Sequence, residues 1–159
     1  MRVITGGALL FCLAGTCFAA SIAGSRVSTD RLTPFLEERS GQGLRAANRA
    51  YRSAKNAWRD GDRAAMLASI ERIEQGVELA YQALAATGTS PRARPESFKR
   101  AEISLARLLR RLQFFEIQVS YDDRAAFQSV ANEVERLHDD LLMSLTSGTP
   151  LSAFLLGTG

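Results

Sequence analysis

Apolar residues recur along most of this chain at alternating spacings of three and four, which places them on one stripe of an α-helix. The first stripe consists of Leu44, Ala47, Tyr51, Ala54 and Trp58, and the second of Met66, Ile70, Ile73, Val77, Ala80 and Leu84. Between them, Asp60-Gly61-Asp62 supplies a turn and a helix N-cap. No segment alternates with the period of two that is typical of a half-buried strand. The pattern therefore predicts an all-α chain.

Two further stripes follow a loop with two prolines at residues 88–97. The third consists of Phe98, Ala101, Leu105, Leu108, Leu112, Phe115 and Val119, and the fourth of Phe127, Val130, Val134, Leu137, Leu141 and Leu145. Ser120 and Asp123 have the spacing of a capping box that would begin the fourth helix. We predict helices at about 43–59, 62–86, 96–119 and 122–146.

The segment before Leu44 allows two interpretations. Thr33-Pro34 resembles an N-cap followed by the first helical residue, whereas Gly41 and Gly43 weaken a continuous helix from there onward. Residues 34–42 are thus either an extension of the first helix or a short separate helix. We expect four parts: a signal peptide at 1–19, an N-terminal extension at 20–42, a helical bundle domain at 43–147 and an apolar tail at 148–159.

The stripes can be mirrored about the turns at 60–62 and at Tyr121, which predicts two antiparallel hairpins with, for example, Phe115 opposite Phe127. The charges point to an arrangement of the hairpins. Residues 41–59 hold five basic and no acidic residues, and residues 90–111 hold seven basic and two acidic residues. Residues 62–86 hold two basic and four acidic residues, and residues 120–146 hold two basic and six acidic residues. In an up-down-up-down four-helix bundle every basic helix would have acidic neighbours. The ion pairs expected from this are Arg52–Glu71, Arg49–Glu74, Arg45–Glu78, Arg100–Asp139 and Lys99–Asp140.

The first nineteen residues have the layout of a secretory signal peptide. Arg2 precedes a short apolar run, and small residues stand at both positions that signal peptidase reads for cleavage after Ala19. The apolar run is too short to favour a membrane-spanning helix. Cys17 is one residue too far from Leu13 for a lipoprotein signal, so a lipid anchor is disfavoured. We predict export across the inner membrane of a bacterium, to the periplasm.

Composition removes several function classes. Both cysteines lie in the predicted signal peptide, so the mature chain has no disulfide, thiol nucleophile, cysteine-ligated metal or covalently attached haem. The pI of about 9.2 suggests nucleic acid, but the formal charge is only +3 and Arg2 leaves with the signal. We therefore expect no nucleic-acid partner.

His138, the only histidine, lies in a Glu-x-x-His spacing that is typical of di-iron bundles. Such sites need a second motif of this kind, which the chain lacks, so we expect His138 to bond a neighbouring side chain at the edge of the core. No nucleophile, phosphate loop or catalytic triad is recognisable. We predict no enzymatic activity, no metal and no cofactor. The alternative is a bundle that binds a small ligand or haem in its core near His138 and Met66.

Two groups of residues are candidates for binding. Arg92, Arg94, Lys99 and Arg100 crowd the start of the third helix and could bind an anion there, unless Asp139 and Asp140 neutralise them. The second group lies off the core stripes and forms a possible interaction surface: Phe114, Ile117, Leu151, Phe154 and Leu155. The tail either folds over Phe114 and Ile117, or these surfaces meet another chain, which includes a second copy of this one.

Taken together, these features predict an exported, non-catalytic helical bundle that acts through contacts with a protein or with the cell envelope. Any membrane contact would be made only at the surface.

Overall fold

Four long helices and one short helix make up the part of the chain that the computed structural model describes, residues 26–155, with side-chain surroundings for 32–154. They are α1 (Arg26–Arg59), α2 (Arg63–Ala86), α3 (Pro95–Glu116), α4 (Tyr121–Ser147) and α5 (Ser152–Leu155). Residues 26–155 contain no strand, and the all-α prediction is confirmed. The predicted signal peptide, its cleavage after Ala19 and both cysteines lie outside the described residues.

The first helix is longer than its apolar stripe predicts. It begins at Arg26 rather than near residue 43, and Pro34 lies inside it, so the prediction of Pro34 as the first helical residue is wrong. Thr33 and Ser40 are buried on the same side of α1 as Leu44. The buried stripe of α1 thus runs on through small polar residues, which a search for apolar periodicity does not detect.

Gly43 lies in the helix at a point where α1 and α2 approach each other closely. A β-carbon on Gly43 would lie 2.6 Å from the carbonyl oxygen of Gly76 and 2.9 Å from the amide nitrogen of Ala80. A β-carbon on Gly76 would similarly meet Ala47. Since an added methyl group would meet backbone atoms here, the absence of a side chain at these glycines lets the two helices pack closely.

The α3–α4 hairpin packs with large side chains. The rings of Phe115 and Phe127 are in edge-to-face contact at 4.9 Å between centroids, which confirms the predicted register of this hairpin. Phe115 also contacts the rings of Tyr51 and Trp58 of α1, at 5.9 and 5.5 Å. One phenylalanine therefore joins three helices at the end of the bundle where both hairpins turn.

The starts of α2 and α4 lie at the predicted caps, but only one of the two caps has its side-chain hydrogen bond. The Asp62 carboxylate accepts a hydrogen bond from the amide of Ala65 at 2.9 Å and caps α2. Ser120 is the N-cap residue of α4, as predicted, but its side chain makes no such bond, so the side-chain contact of the predicted capping box is wrong. Its hydroxyl instead donates to the Asp123 carboxylate at 2.7 Å, and Arg63 donates to the same carboxylate at 2.6 Å. Asp123 joins the two hairpins instead of capping its own helix.

The arrangement of the hairpins differs from the one that the charges predict. The principal contacts are α1 with α2, α3 with α4, α2 with α4 and α1 with α3. Basic α1 therefore lies beside basic α3, running in the same direction, as the contacts of Asn48 and Trp58 with Arg111 and Phe115 show. Apolar packing decides which helices are neighbours, because an exposed ion pair contributes only ~0.2–1 kcal/mol.

The described part of the tail, residues 148–154, packs at the opposite end of the bundle from Phe114 and Ile117, so the first of the two alternatives, a tail folded over these two residues, does not hold for this part. Leu151 is 1% exposed and belongs to the core, and Phe154 packs partly against it. The loop before α3 helps to hold this end, because the Ser90 hydroxyl donates to the carbonyl of Gly148 at 2.6 Å. Leu151 and Phe154 are thus part of the folded body rather than of a free interaction surface, and the side chain of Leu155 is outside the described residues.

Candidate binding face

Because α1 and α3 lie side by side, their exposed cations form one surface, which we call the basic face. It consists of Arg45, Arg49, Arg52, Lys55, Arg59, Lys99, Arg100, Arg107, Arg110 and Arg111. Over their full lengths α1 and α3 carry 13 basic and 6 acidic residues. Helices α2 and α4 carry 4 basic and 9 acidic residues, and we call their exposed side the acidic face. The molecule is therefore electrically polarised across the bundle.

The cations of the basic face have no acidic partners in the described part of the chain. None of the ten has a carboxylate oxygen within 4.0 Å, so the predicted pairs of Arg45, Arg49 and Arg52 with α2 are wrong, as are those of Lys99 and Arg100 with α4. Where these side chains are held, neutral oxygens hold them. Arg111 donates to the side chain of Asn48 at 3.2 Å, and Arg110 to the carbonyl of Ala106 at 3.3 Å. The charge of the face remains uncompensated.

Two of the expected acidic partners, Asp139 and Asp140, contact other groups of α4 and α2 instead. Asp140 pairs with Arg136 of its own helix at 3.2 Å and accepts a hydrogen bond from the Tyr81 hydroxyl at 3.1 Å. Asp139 lies 3.6 Å from the His138 ring. Side chains one turn apart on the same helix meet at a smaller entropic cost than long side chains on two helices.

Apolar side chains stand among the cations at one end of the basic face. Phe114 is 62% exposed and Ile117 is 67% exposed, as their positions off the core stripe predict. The Tyr51 hydroxyl donates to the carbonyl of Arg111, which sets the register of α1 against α3. Phe114 therefore lies at the level of Lys55 to within about one helical turn. The two apolar side chains share the surface with cations of both helices.

A polar cleft of about 490 Å³ opens between α1 and α3 at the other end of the face. Arg45 and Arg100 lie on its two sides, and Ser40 lies against its floor. Ser40 is 3% exposed. Glu37 lines the same cleft and pairs with Arg94 at 3.6 Å. The cleft thus adds hydrogen-bonding groups to the basic face.

The four residues predicted as an anion site do not converge on one point. Arg92 donates to the carbonyl of Ser147 at the end of α4, at 3.3 Å. Arg94 turns to Glu37 on α1, and Arg100 donates to the carbonyl of Glu96 at 3.2 Å. Lys99 and Arg100 remain exposed and belong to the basic face. The sequence predicts the positions of these cations but not the directions of their side chains, because the loop that orients Arg92 and Arg94 has no periodic pattern.

Two of the four basic residues of α2 and α4, Arg63 and Arg136, pair with carboxylates of the fold. Arg136 binds Glu133 at 2.6 Å in addition to Asp140. Burial of Tyr81, and then the neighbouring charge of Asp140, raise the pKa of its hydroxyl above the ordinary value. The hydrogen bond from Ser120, and then that from Arg63, hold the pKa of Asp123 below its usual range. These shifted groups all take part in holding α4 in place.

His138 and Met66 are not brought together. The His138 ring lies 3.1 Å from the Glu102 carboxylate, which is the edge-of-core contact expected of it. Met66 is buried between three and four turns away, toward the end of the bundle where both hairpins turn. This is roughly 20 Å along the parallel helices, judging from the pairing of Tyr81 with Asp140. Across residues 26–155, no group of three or more His, Cys, Asp or Glu side chains is placed to hold a metal ion. None of the helices within residues 26–155 combines the length and the apolar character that a membrane-spanning segment requires.

Comparison with known proteins gives no relative: no family model, no curated protein and no solved structure matches the chain.

Proposed function

We propose that this protein is an exported, non-catalytic binding protein that holds a polyanionic component of the cell envelope against its basic face. The observation that carries the proposal is the side-by-side packing of α1 and α3, which collects ten exposed cations without carboxylate partners in the described structure. Neighbouring like charges repel each other in the free protein, and a partner of opposite charge removes that repulsion.

The distribution of the remaining polar groups supports binding rather than catalysis. The single imidazole is held by Glu102 and Asp139, and the shifted pKa values of Tyr81 and Asp123 belong to contacts between α2 and α4. Export is supported by the leader-like residues 1–19.

The test compares two triple variants with the same change in net charge. Arg52→Gln, Lys55→Gln and Arg107→Gln remove three cations from the basic face. Gln82→Glu, Ser129→Glu and Asn132→Glu add three anions to exposed positions of α2 and α4. Binding of purified protein to isolated cell envelopes is measured by co-sedimentation at increasing salt. The first variant should bind about a hundredfold more weakly, at ~1 kcal/mol for each cation near an anionic surface.

The second variant should bind within about twofold of the native protein, because its new charges face away from the partner. Equal losses in both variants would mean that only net charge matters, and the basic face would then not be the site. Absence of binding by the native protein would overturn the proposal.

A further inference from the structure

We propose that the polyanionic partner is the surface of a phospholipid bilayer containing anionic lipids, and that Phe114 and Ile117 enter its interfacial layer. This inference rests on the proposed function, because it names the partner of the same face. The evidence lies at the end of the basic face where both hairpins turn. Exposed cations and exposed apolar side chains occur there together, within two helical turns of α3.

The apolar side chains distinguish lipid from other polyanions. A polysaccharide or a nucleic acid would neutralise the arginines and leave Phe114 and Ile117 in water. A bilayer satisfies both kinds of side chain, because its anionic headgroups lie directly above the acyl chains that apolar residues can reach. Tyr121, exposed at the start of α4, adds a side chain of the type that is enriched at membrane interfaces.

The cations are placed to accompany this insertion. Arg110 and Arg111 precede Phe114 by about one turn of α3, and Lys55 lies at the same level on α1. Long basic side chains keep their charged ends among headgroups while their carbon chains lie against apolar groups. The face can therefore lie flat on a bilayer while the core stripe of α3 stays packed against the other helices.

The depth of contact is limited by the fold. Phe115 is 1% exposed and holds α3 to α1 and α4, so α3 cannot turn its core side toward lipid without unfolding the bundle. The inserted part consists of the outer side chains alone. The contact is thus reversible and salt-dependent, because two apolar side chains provide little affinity without the cations.

The test uses vesicles of phosphatidylcholine alone and vesicles that also contain phosphatidylglycerol, with flotation as the measurement. The native protein should bind only the anionic vesicles. The double variant Phe114→Ser with Ile117→Ser should bind them about tenfold more weakly or worse. The matched control is Leu142→Ser with Met143→Ser, which removes two exposed apolar side chains from α4 and should leave binding unchanged.

A fluorescence measurement tests insertion directly. Phe114→Trp, made together with Trp58→Phe to remove the native tryptophan, should shift its emission to the blue on anionic vesicles and be quenched by brominated lipids. A tryptophan at Leu142 in the same background should show neither change. Circular dichroism of each variant checks that the bundle is folded before binding is measured.

The outcomes separate this inference from the proposed function. If Phe114→Ser with Ile117→Ser binds anionic vesicles as well as the native protein does, lipid insertion is overturned. If the native protein ignores vesicles but binds dextran sulfate or envelope polysaccharide through Arg52, Lys55 and Arg107, the lipid assignment is wrong and the basic face remains the site. If the basic-face variant and its acidic-face control behave alike on every polyanion, the proposed function itself fails.

Discussion

The basic and acidic faces of this bundle use charge in opposite ways. On the acidic face, Arg63 binds Asp123 and Arg136 binds two carboxylates, so basic residues join helical turns and helices to each other. On the basic face, ten exposed cations have no carboxylate within reach in the described residues. Exposed pairs contribute little to stability, so the fold does not need the basic face to be neutralised. The difference between the two faces is that ion pairs join helical turns and helices on the acidic face, whereas none of the ten cations of the basic face takes part in one within the described structure.

The largest effect on stability should come from a comparison of two adjacent phenylalanines, Phe115 in the core and Phe114 on the basic face. Phe115→Ala should lower the free energy of unfolding by about 3–5 kcal/mol, because this ring packs between α1 and α4. Phe114→Ala should change it by less than about 0.5 kcal/mol, because Phe114 is mostly in water. Urea unfolding followed by circular dichroism measures both.

Vesicle binding should show the reverse order. Phe114→Ala should weaken binding, and Phe115→Ala should not, provided it is measured below its unfolding midpoint. Similar destabilisation by the two variants would mean that Phe114 belongs to the core and that the face has no apolar component.

The next largest effect concerns the contact that holds the basic α1 against the acidic α2. Gly43→Ala should destabilise the protein by about 1–3 kcal/mol, because the new methyl group would meet backbone atoms of α2. Gly41→Ala is the matched control. Its methyl group would meet only the flexible Arg45 side chain, at 3.4 Å, and it should stabilise the helix by up to about 1 kcal/mol. Thermal unfolding of the two variants should shift in opposite directions, and a shared direction would contradict the close approach.

Phe115 and Gly43 also show how much of the fold could be predicted from the sequence. Each hairpin follows from local signals, a period of three and four residues joined by a short turn, and the pairing of Phe115 with Phe127 follows from that register. The start of α1 was missed because Thr33, Ser40 and Gly43 occupy its buried stripe without being apolar. Burial of small residues depends on how closely the neighbouring helix approaches, which periodicity does not report.

The candidate site was predicted in part. The exposure of Phe114 and Ile117 follows from their position off the core stripe, and the structure leaves both uncovered within its described residues. The basic face was missed because the charge signs favoured acidic neighbours for every basic helix. Exposed ion pairs are too weak to choose between bundle arrangements, so the packing of the apolar stripes decides. The available signal was the absence of any acid in residues 41–59, which left those cations without partners on their own helix.

A smaller effect should mark the acidic face as the side where polar contacts stabilise the fold. Tyr81→Phe removes the hydroxyl that donates to Asp140 at 3.1 Å and should cost about 1 kcal/mol, since Asp140 keeps Arg136. Tyr121→Phe, at an exposed tyrosine, should change nothing measurable. The raised pKa of Tyr81 means that its contribution is complete below pH 10.0, the ordinary tyrosine value, and is lost as the pH rises above it. The free energy of unfolding of the native protein should therefore decrease as the pH rises above 10.0. The decrease should be smaller for Tyr81→Phe, which lacks the titrating hydroxyl.

The smallest effect should be present at neutral pH and vanish in strong acid, and it concerns the carboxylate that ties α4 to α2. Because Ser120 and Arg63 hold the pKa of Asp123 below its ordinary value of 3.8, its contribution is present above that value and is lost as the pH falls through the lowered pKa. Asp123→Asn should thus be less stable than the native protein at neutral pH, and the difference should disappear in strong acid. Asp122→Asn, its exposed neighbour, should show no such convergence. A constant difference between Asp123→Asn and the native protein from neutral to acid pH would mean that the Arg63 contact contributes no charge-dependent stability. The acidic face would then resemble the basic face, with its charges unused by the fold.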